Sequence, residues 1–359
     1  MILNKRFSWT LSSIIALSVL LAACGGNGDG ESNGDASNGD FAEESWQFVT
    51  EELQGEVQYE YAAEFADRIS EKTDGAITVE PLEFGALGSE VDQAQLLQQG
   101  GVELAVMSPG FTGNQVQDGQ IFSLHYFFPS DQEQVQEVLT NSEALNQDLR
   151  AKYEEHGISP LSYWTEGATA WSSNVGIESP EDWSGLNIRV QESPLMRETY
   201  AAYGATVQSL SWDELYTALD RGTVDAQENP IFFIQSASFH EVQDTVTVSN
   251  HNNYVAMTTV NTDWYNSLDD NVKEVVDETV AEMQDWVFEE QTNQNQEGID
   301  AIEADTDNPT EIIELTDEQI EVFREAAEPV HQYYRDEVSD IDQDIFDKLQ
   351  EEIADVMDE

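Results

Sequence analysis

The sequence predicts an α/β fold of about two domains, and three observations lead to this prediction. Segments with the patterns of strands and of helices alternate along the chain, which is typical of folds whose helices cover both faces of a sheet. Of the 359 residues, 40% are hydrophobic and 10% are aromatic, so the chain can build a substantial core. A chain of this length is expected to form about two domains.

The first predicted elements cover the region from 56 to 107. Apolar side chains recur every four residues from Val57 to Ile69, which predicts a helix over 56–74 that ends near Gly75. The elements predicted after it are a strand over 76–84, a helix over 91–99 and a short strand over 102–107.

The alternation continues in the rest of the chain. The elements predicted there are a strand over 157–165, a helix over 193–204, a strand over 205–210 and a helix over 211–221. Residues 262–296 contain neither Pro nor Gly and predict one long helix. Two further amphipathic helices are predicted over 316–334 and 341–358.

The first 23 residues have the features of a secretory signal. Lys5 and Arg6 precede a largely apolar run that is too short to span a bilayer, and Leu21-Ala-Ala-Cys24 follows. This ending resembles the lipobox of bacterial lipoproteins, which implies cleavage before Cys24 and lipidation of its thiol. An ordinary signal followed by a chance cysteine is the alternative. We therefore expect an exported protein, held at the outer face of the cytoplasmic membrane only by a lipid anchor.

Residues 24–40 predict a flexible tether. They contain Gly, Asn, Asp, Ser, Glu and Ala but no large apolar side chain, so they cannot contribute to a core. The folded part is expected to start near Phe41. Because Cys24 is the sole cysteine, a disulfide framework and a cysteine-based zinc site are excluded.

The charge balance is strongly acidic. The chain has 73 Asp and Glu against 13 Lys and Arg, a formal charge of −60, which removal of the signal changes to −62. No basic surface is available for nucleic acid or for anionic lipid. Repulsion of this size is screened at high salt, where the Debye length falls to about 3 Å. The composition therefore suits an exported protein in a halophilic habitat or an alkaline medium, although an acidic protein whose charge says nothing about habitat is the alternative.

The sequence predicts neither catalysis nor a cofactor. It has no HExxH, P-loop or dinucleotide-binding motif. The five histidines lack metal-ligand spacing, and the acidic stretch from Asp340 to Glu351 has Ile345 where a calcium loop needs Gly. We expect no metal site and no enzyme, and a secreted hydrolase is the least supported alternative.

Two polar residues are candidates for binding a carboxylate. Arg189 lies inside the apolar, strand-like segment 183–190, where its guanidinium could form two parallel hydrogen bonds with a carboxylate. A structural pair with one of the many acids is the alternative. Asn229 precedes Pro230 in a turn-like segment and could donate an amide hydrogen to the second oxygen, unless the segment is a plain polar turn.

Aromatic side chains lie near these segments. They are Phe111, Trp212, Phe233 and Tyr254. Aromatic faces attract delocalised cations, by roughly 0.5–2 kcal/mol each. Core packing is the alternative for each of them.

Several segments together resemble the solute-binding proteins of tripartite ATP-independent periplasmic (TRAP) transporters. They are Ser179-Pro-Glu-Asp-Trp-Ser-Gly-Leu-Asn-Ile-Arg-Val190, Gly204-Ala-Thr206 and Asp225-Ala-Gln-Glu-Asn-Pro230, and the likeness covers about 45–355. The resemblance implies two α/β lobes that close on a ligand in the cleft between them, and a long helix that spans both. It places 41–165 and about 256–300 in lobe 1, and 166–255 and about 301–359 in lobe 2. Arg189 would bind the ligand carboxylate with help from Asn229.

Within that family the chain is most similar to the ectoine-binding branch. The similar segments are Trp46 with Glu51-Glu52, Ser108-Pro-Gly-Phe-Thr-Gly113, Ser211-Trp212 with Leu215-Tyr216, and Glu228-Asn-Pro-Ile-Phe-Phe233. The resemblance implies that Glu52, or else Glu51, contacts the ring nitrogens of the ligand. Phe111, Trp212, Phe233 and Tyr254 would form an aromatic box around that ring. Thr169 stands where many dicarboxylate and sugar-acid members carry a second arginine, which argues against a doubly anionic ligand.

The resemblance implies a receptor that captures ectoine or hydroxyectoine and delivers it to the membrane permease subunits. A receptor for another monocarboxylate, such as a keto acid, is one alternative. A sensory protein that presents its ligand to a receptor kinase is another. Both alternatives require the same cleft.

Overall fold

The computed structural model describes residues 41–358, so the predicted signal, Cys24 and the tether lie outside the described residues. The strands in chain order are β1 (Glu44–Val49), β2 (Ile77–Leu82), β3 (Leu104–Met107), β4 (Ile158–Ser173), β5 (Asn187–Val190), β6 (Thr206–Ser209), β7 (Ala226–Pro230), β8 (Thr245–Val248), β9 (Asn253–Asn261) and β10 (Glu311–Glu314).

Twelve α-helices are assigned within the described residues. They are α1 (Val57–Lys72), α2 (Glu90–Gln98), α3 (Pro109–Thr112), α4 (Gln132–Asn141), α5 (Arg150–Glu154), α6 (Pro194–Tyr203), α7 (Trp212–Asp220), α8 (Ile231–Ser236), α9 (Thr262–Ser267), α10 (Asp270–Ala304), α11 (Asp317–Glu337) and α12 (Gln343–Asp358). The helices described here contain no stretch long and apolar enough to cross a bilayer.

The strands form two half-sheets that share the long strand β4. The main order is β2-β1-β3-β9-β4-β7-β5-β6, and β8 pairs with both β4 and β10. The first part of β4, as far as Ala168, pairs with β9, whereas its last part pairs with β7 and β8. We call the β2-β1-β3-β9 side the first half-sheet and the β7-β5-β6 side, with β8 and β10, the second. This two-lobe α/β architecture confirms the predicted fold class.

The direction of the strands brings distant segments to one edge. In the first half-sheet, β1 and β3 are parallel, with Val49 opposite Ala105, so the segments that follow them leave at the same edge. Strands β5 and β7 in the second half-sheet are also parallel, with Ile188 opposite Ala226. In open α/β sheets this carboxyl edge is where ligands bind.

The long helix α10 contacts elements of both half-sheets, as predicted. It has 35 residues, which corresponds to about 50 Å of helix. In its first half, Glu282 accepts a hydrogen bond from Lys72 of α1 at 2.8 Å. In its second half, the Asn295 side chain accepts one from the amide of Ile231 in α8 at 3.1 Å. The helix therefore lies along both lobes.

The prediction of one helix over 262–296 is wrong at its start. The side chain of Asn261 caps α9 by accepting from the amide of Trp264 at 2.8 Å. Leu268 and Asp269 then take extended backbone angles, and the carbonyl of Asp269 accepts from the amide of Val272 to begin α10. Asn261 and Asp269 therefore each begin a helix, and the segment is divided although it contains no Pro or Gly.

The C-terminal helix α12 packs on the side of the first half-sheet. Its buried residues Ile345, Phe346, Leu349 and Ile353 belong to the core cluster that contains α4 residues. The carboxylate of Glu352 also accepts hydrogen bonds from Ser142 and from the amide of Glu143, which follow α4. The resemblance implies that this segment belongs to lobe 2, whereas the contacts described here are with elements on the side of the first half-sheet.

Candidate ligand-binding site

Two adjoining cavities lie where the two half-sheets meet. The smaller is lined by Glu51, Glu90, Phe111, Arg189, Gln191, Trp212, Asn229, Phe233 and Tyr254. The larger shares Arg189, Gln191, Asn229 and Tyr254 with the smaller. Six of the seven ligand-binding residues predicted from the sequence therefore line one cavity, and Glu52 is the exception.

Arg189 presents part of its guanidinium to the cavity without a protein partner. Its side chain lies on β5 and is only 3% exposed. The Nε atom donates to the carbonyl of Leu210 at 3.0 Å, which fixes the orientation of the group. The buried Nη2 atom has no hydrogen-bond partner. Burial lowers the pKa of Arg189, but an arginine remains charged, so an anion is the partner that this nitrogen lacks.

Asn229 lies on β7, the strand next to β5, and lines both cavities with Arg189. Its Nδ2 group donates one hydrogen bond to Gln227, whose own amide donates to Ser172 at 2.9 Å. An amide nitrogen carries two hydrogens, so Asn229 retains one donor. Arg189 and Asn229 can therefore both donate to a small anion from the second half-sheet.

The aromatic side chains converge from both half-sheets. Phe233 of α8 has its ring centroid 5.0 Å from that of Trp212 and 5.8 Å from that of Tyr254, at tilted or edge-on angles. Phe111 of α3 lines the same cavity. Such rings offer flat apolar faces to a ligand and attract a delocalised cation.

The resemblance implies that Glu52, or else Glu51, contacts the ligand. Of these two acids, Glu51 lines the smaller cavity and Glu52 does not. The carboxylate of Glu51 lines the smaller cavity and accepts from the amide of Ser108 at 3.0 Å. Glu52 instead accepts from the amide of Gln58, in the first turn of α1, at 2.7 Å. Amide groups at a helix N-terminus attract carboxylates. This contact holds the Glu52 carboxylate behind the side chains that line the cavity.

Glu52 forms a buried acid pair with Glu166. The Gln58 side chain donates to Glu166 at 2.8 Å, while Glu52 Oε1 and Glu166 Oε2 are buried without a hydrogen-bond partner. Burial raises the pKa of Glu166 to about 8 and, with the charge of Glu166, holds the pKa of Glu52 well above its usual range. A proton shared between the two carboxyl groups would satisfy both oxygens.

This acid pair predicts a pH-dependent stability. Because the folded-state pKa of Glu166 is raised from 4.5 to about 8, the folded state binds more protons than the unfolded state, and stability falls as pH rises through this window. Replacing Glu166 by Gln is expected to raise the thermal unfolding midpoint more at pH 8 than at pH 4.5. Thermal scans of the ligand-free protein check this, with exposed Glu198→Gln as the control. An equal shift at both pH values would contradict it.

Two residues that line the smaller cavity, Glu90 and Gln191, were missed by the sequence analysis. Glu90, in the first turn of α2, is 3% exposed, and burial raises its pKa. Gln191 lies two positions after Arg189, and side chains two apart along an extended strand share a face, which is the signal that could have found it. Its amide donates to the Tyr254 hydroxyl at 3.1 Å. Glu90 has no comparable signal among so many acids.

Gln191 also connects the two halves of the cleft. Its Oε1 accepts from the Ser108 hydroxyl at 3.4 Å, although Ser108 follows β3 of the first half-sheet. A Cβ at position 110 would lie 1.7 Å from Gln191 Oε1, so a larger residue there would displace the end of the Gln191 side chain. Polar groups from both half-sheets therefore meet around the cavity.

Comparison with known proteins agrees with this geometry. Residues 48–337 match the family described as bacterial extracellular solute-binding protein, family 7, or DctP. The ectoine-binding periplasmic protein TeaA of Halomonas elongata is 32% identical over 316 residues, which cover 88% of this chain and 92% of that protein. The ectoine/5-hydroxyectoine-binding protein UehA of Ruegeria pomeroyi is 29% identical over 98% of both chains.

Other relatives have different ligands in their names. The C4-dicarboxylate-binding protein DctP of Rhodobacter capsulatus is 32% identical over 75% of this chain and 80% of its own length.

Among solved structures, that of the ectoine-binding protein of the TeaABC TRAP transporter superposes with a TM-score of 0.83, covering 87% of this chain and 99% of that one. The chain therefore belongs to the DctP family and is an extracytoplasmic solute-binding receptor of a TRAP transporter, not an enzyme.

Proposed function

We propose that this receptor captures ectoine or hydroxyectoine and delivers it to the membrane permease of its TRAP transporter. The observation that carries the proposal is one cavity in which a buried arginine with a free Nη2 atom and the buried carboxylate of Glu51 lie among aromatic rings. Ectoine combines a carboxylate with a delocalised cationic ring. The names of two similar proteins support the same solute class.

The carboxylate and the ring would be held by different groups. Arg189 and Asn229 donate hydrogen bonds to the carboxylate, which are strong because both partners of the arginine contact are charged. Glu51 accepts from the ring nitrogens, while Trp212 and Phe233 cover the ring faces. Arg189 is the only basic residue among the described residues that line the two cavities, so a second carboxylate would have no cation to meet.

Binding would stabilise the closed form of the receptor. The donors for the carboxylate come from the second half-sheet, whereas Glu51 and Phe111 follow strands of the first. A ligand that touches both groups favours closure, because its interactions are complete only in that state. We propose lobe 1 as 41–165, about 256–300 and 343–358, and lobe 2 as 166–255 and about 301–342.

Mass spectrometry of the solute that co-purifies with the folded protein tests the proposal. The protein should be isolated from cells grown with ectoine and with hydroxyectoine, washed, and then unfolded to release its solute. We expect one of the two compounds at about one molecule per chain. A C4-dicarboxylate or a sugar acid in its place would contradict the proposal.

A keto-acid receptor is the second candidate, and one observation favours it. Burial, and after it the charge of Glu90, holds the pKa of Glu51 well above its usual range. A protonated Glu51 would be neutral and would tolerate a purely anionic ligand. Competition between ectoine and pyruvate separates the two candidates.

A sensory role would be supported if genes for a receptor kinase, rather than for a permease, lie beside this gene.

Trp212 is expected to contribute through stacking on the ligand ring. Replacing it by Ala should weaken ectoine binding by about 1–2 kcal/mol, because one aromatic face is lost. Isothermal titration calorimetry measures the change. Tyr216→Ala on the same helix is the matched control, since Tyr216 is 40% exposed and does not line the cavity. A Trp212→Ala variant with wild-type affinity would contradict the assignment.

We also propose that Cys24 carries the lipid that anchors the receptor, on the strength of the Leu21-Ala-Ala-Cys24 motif. Replacing Cys24 by Ala should move the protein from the membrane fraction to the soluble extracytoplasmic fraction, because the thiol that accepts the lipid is lost. Cell fractionation followed by immunoblotting measures this. Soluble wild-type protein, or membrane association that survives the substitution, would contradict the anchor.

A further inference from the structure

Three buried side chains that are typical metal ligands converge next to the larger cavity. They are His125, Glu228 and His251, which are 1%, 6% and 0% exposed. One ligand atom from each lies within 4.8 Å of the other two. His125 precedes α4, Glu228 lies on β7 and His251 precedes β9, so only the fold reveals the cluster that sequence spacing did not predict.

Both imidazole rings are oriented with the same nitrogen towards the glutamate. Nδ1 of His251 lies 2.6 Å from the Ser249 hydroxyl, and Nδ1 of His125 lies 3.1 Å from the Tyr203 hydroxyl. The Nε2 atoms therefore face Glu228 Oε2, at 2.7 Å for His251 and 3.7 Å for His125. Histidines that bind metals usually hold their second nitrogen in such an outer hydrogen bond.

One nitrogen in the cluster has no hydrogen-bond partner. His125 Nε2 is buried and points towards Glu228, but the distance to Oε2 exceeds hydrogen-bond length. Buried polar atoms without partners are unusual in native proteins and call for an explanation such as an ion. A cation between the three side chains would give this nitrogen a partner.

The surroundings of the carboxylate leave room for a cation as a direct partner. The groups that face Glu228 are the two histidines, the hydroxyl of Tyr200 and, at longer range, Arg189. A divalent ion would supply a positive charge in direct contact.

We propose that His125 Nε2, His251 Nε2 and Glu228 Oε2 form a binding site for a transition-metal ion of the Zn²⁺ type. The distances from Glu228 Oε2 to His251 Nε2 and to His125 Nε2, 2.7 and 3.7 Å, bracket the roughly 3.3 Å expected between ligand atoms about 2.0 Å from a tetrahedral ion. The hydroxyls of Thr169 and Tyr200 are candidates for a fourth ligand, since they lie 3.1 and 3.3 Å from His251 Nε2.

The site adjoins the receptor cavity, because Glu228 and Thr169 line the larger cavity. Glu228 also directly precedes Asn229 on β7. An ion on Glu228 would therefore fix the strand that carries one of the solute-binding residues.

Cobalt titration of the mature protein tests the site. The protein is first stripped with a chelator and then titrated with Co²⁺, whose visible absorption reports its coordination geometry. We expect one Co²⁺ per chain, displaced by Zn²⁺ but not by an excess of Mg²⁺ or Ca²⁺, which bind the many surface acids. His125→Gln and His251→Gln should abolish the signal, and exposed His156→Gln should keep it.

Two results would overturn the proposal. One is a wild-type titration without a saturable cobalt spectrum, which would leave the cluster as a proton-sharing hydrogen-bond network. The other is a spectrum that persists unchanged in His125→Gln. The wild-type titration needs no variant, so it decides the question even if a substituted protein fails to fold. It also contains no ectoine and is therefore independent of the proposed solute.

Discussion

Replacing Arg189 by Ala is expected to weaken ectoine binding by about 3 kcal/mol, or roughly 100-fold. The guanidinium is buried, and its Nη2 atom has no hydrogen-bond partner in the protein. Without it, the carboxylate of a bound solute would be desolvated with no cation to meet it, which is the costly case for a buried charge. Isothermal titration calorimetry of the variant measures the loss.

Two further variants test whether the loss of affinity is specific to the Arg189 guanidinium. Arg197→Ala removes a nearby arginine whose side chain contacts Ser209 and does not line the cavity, and it should bind ectoine like the wild type. Arg189→Lys keeps the charge but loses the planar fork, so an intermediate loss is expected. Unfolding midpoints of all variants show whether they are folded. Wild-type affinity in folded Arg189→Ala would remove this residue from the site.

Replacing Glu51 by Gln is expected to weaken ectoine binding by about 2 kcal/mol while leaving the binding of a keto acid unchanged or improved. Glutamine keeps the size of the side chain but removes the charge that a cationic ring requires. A purely anionic ligand would lose only a repulsion. Calorimetric titrations of wild type and variant with ectoine and with pyruvate measure the opposite effects.

Glu52→Gln is the matched control for Glu51. The two acids are adjacent in sequence, but only Glu51 lines the cavity, whereas Glu52 is held by the amide of Gln58. We therefore expect a smaller loss for Glu52→Gln than for Glu51→Gln. A larger loss for Glu52→Gln would contradict the structural assignment and support the one that the family resemblance implied.

The fold was largely predictable because its signals are local. The four-residue rhythm from Val57 to Ile69 gave α1, and the apolar run before Ser108 gave β3. The division between α9 and α10 was missed because its cause is a cap at Asn261 and an extended pair at 268–269, without Pro or Gly. The position of α12 depends on which apolar surface it meets, and no local pattern specifies that.

Site residues of a type that is rare in this chain were predictable from the sequence. Site residues of a common type were not. Arginine is scarce in this chain, so Arg189 within an apolar segment was conspicuous. Acids are abundant, so the sequence did not separate Glu51 from Glu52 and gave no reason to select Glu90. The pairing of His125 with His251 depends on contacts between distant segments, which spacing along the chain does not reveal.

Direct titration of the ligand-free mature receptor with ectoine, pyruvate and succinate tests the central claim, which is that a cavity with one buried arginine and a nearby acid selects a zwitterion. We predict saturable binding of ectoine at one site per chain. Pyruvate should bind at least about tenfold more weakly, because Glu51 opposes its charge, and succinate weaker still, because its second carboxylate meets no cation. Preferential binding of succinate or pyruvate over ectoine would contradict the account.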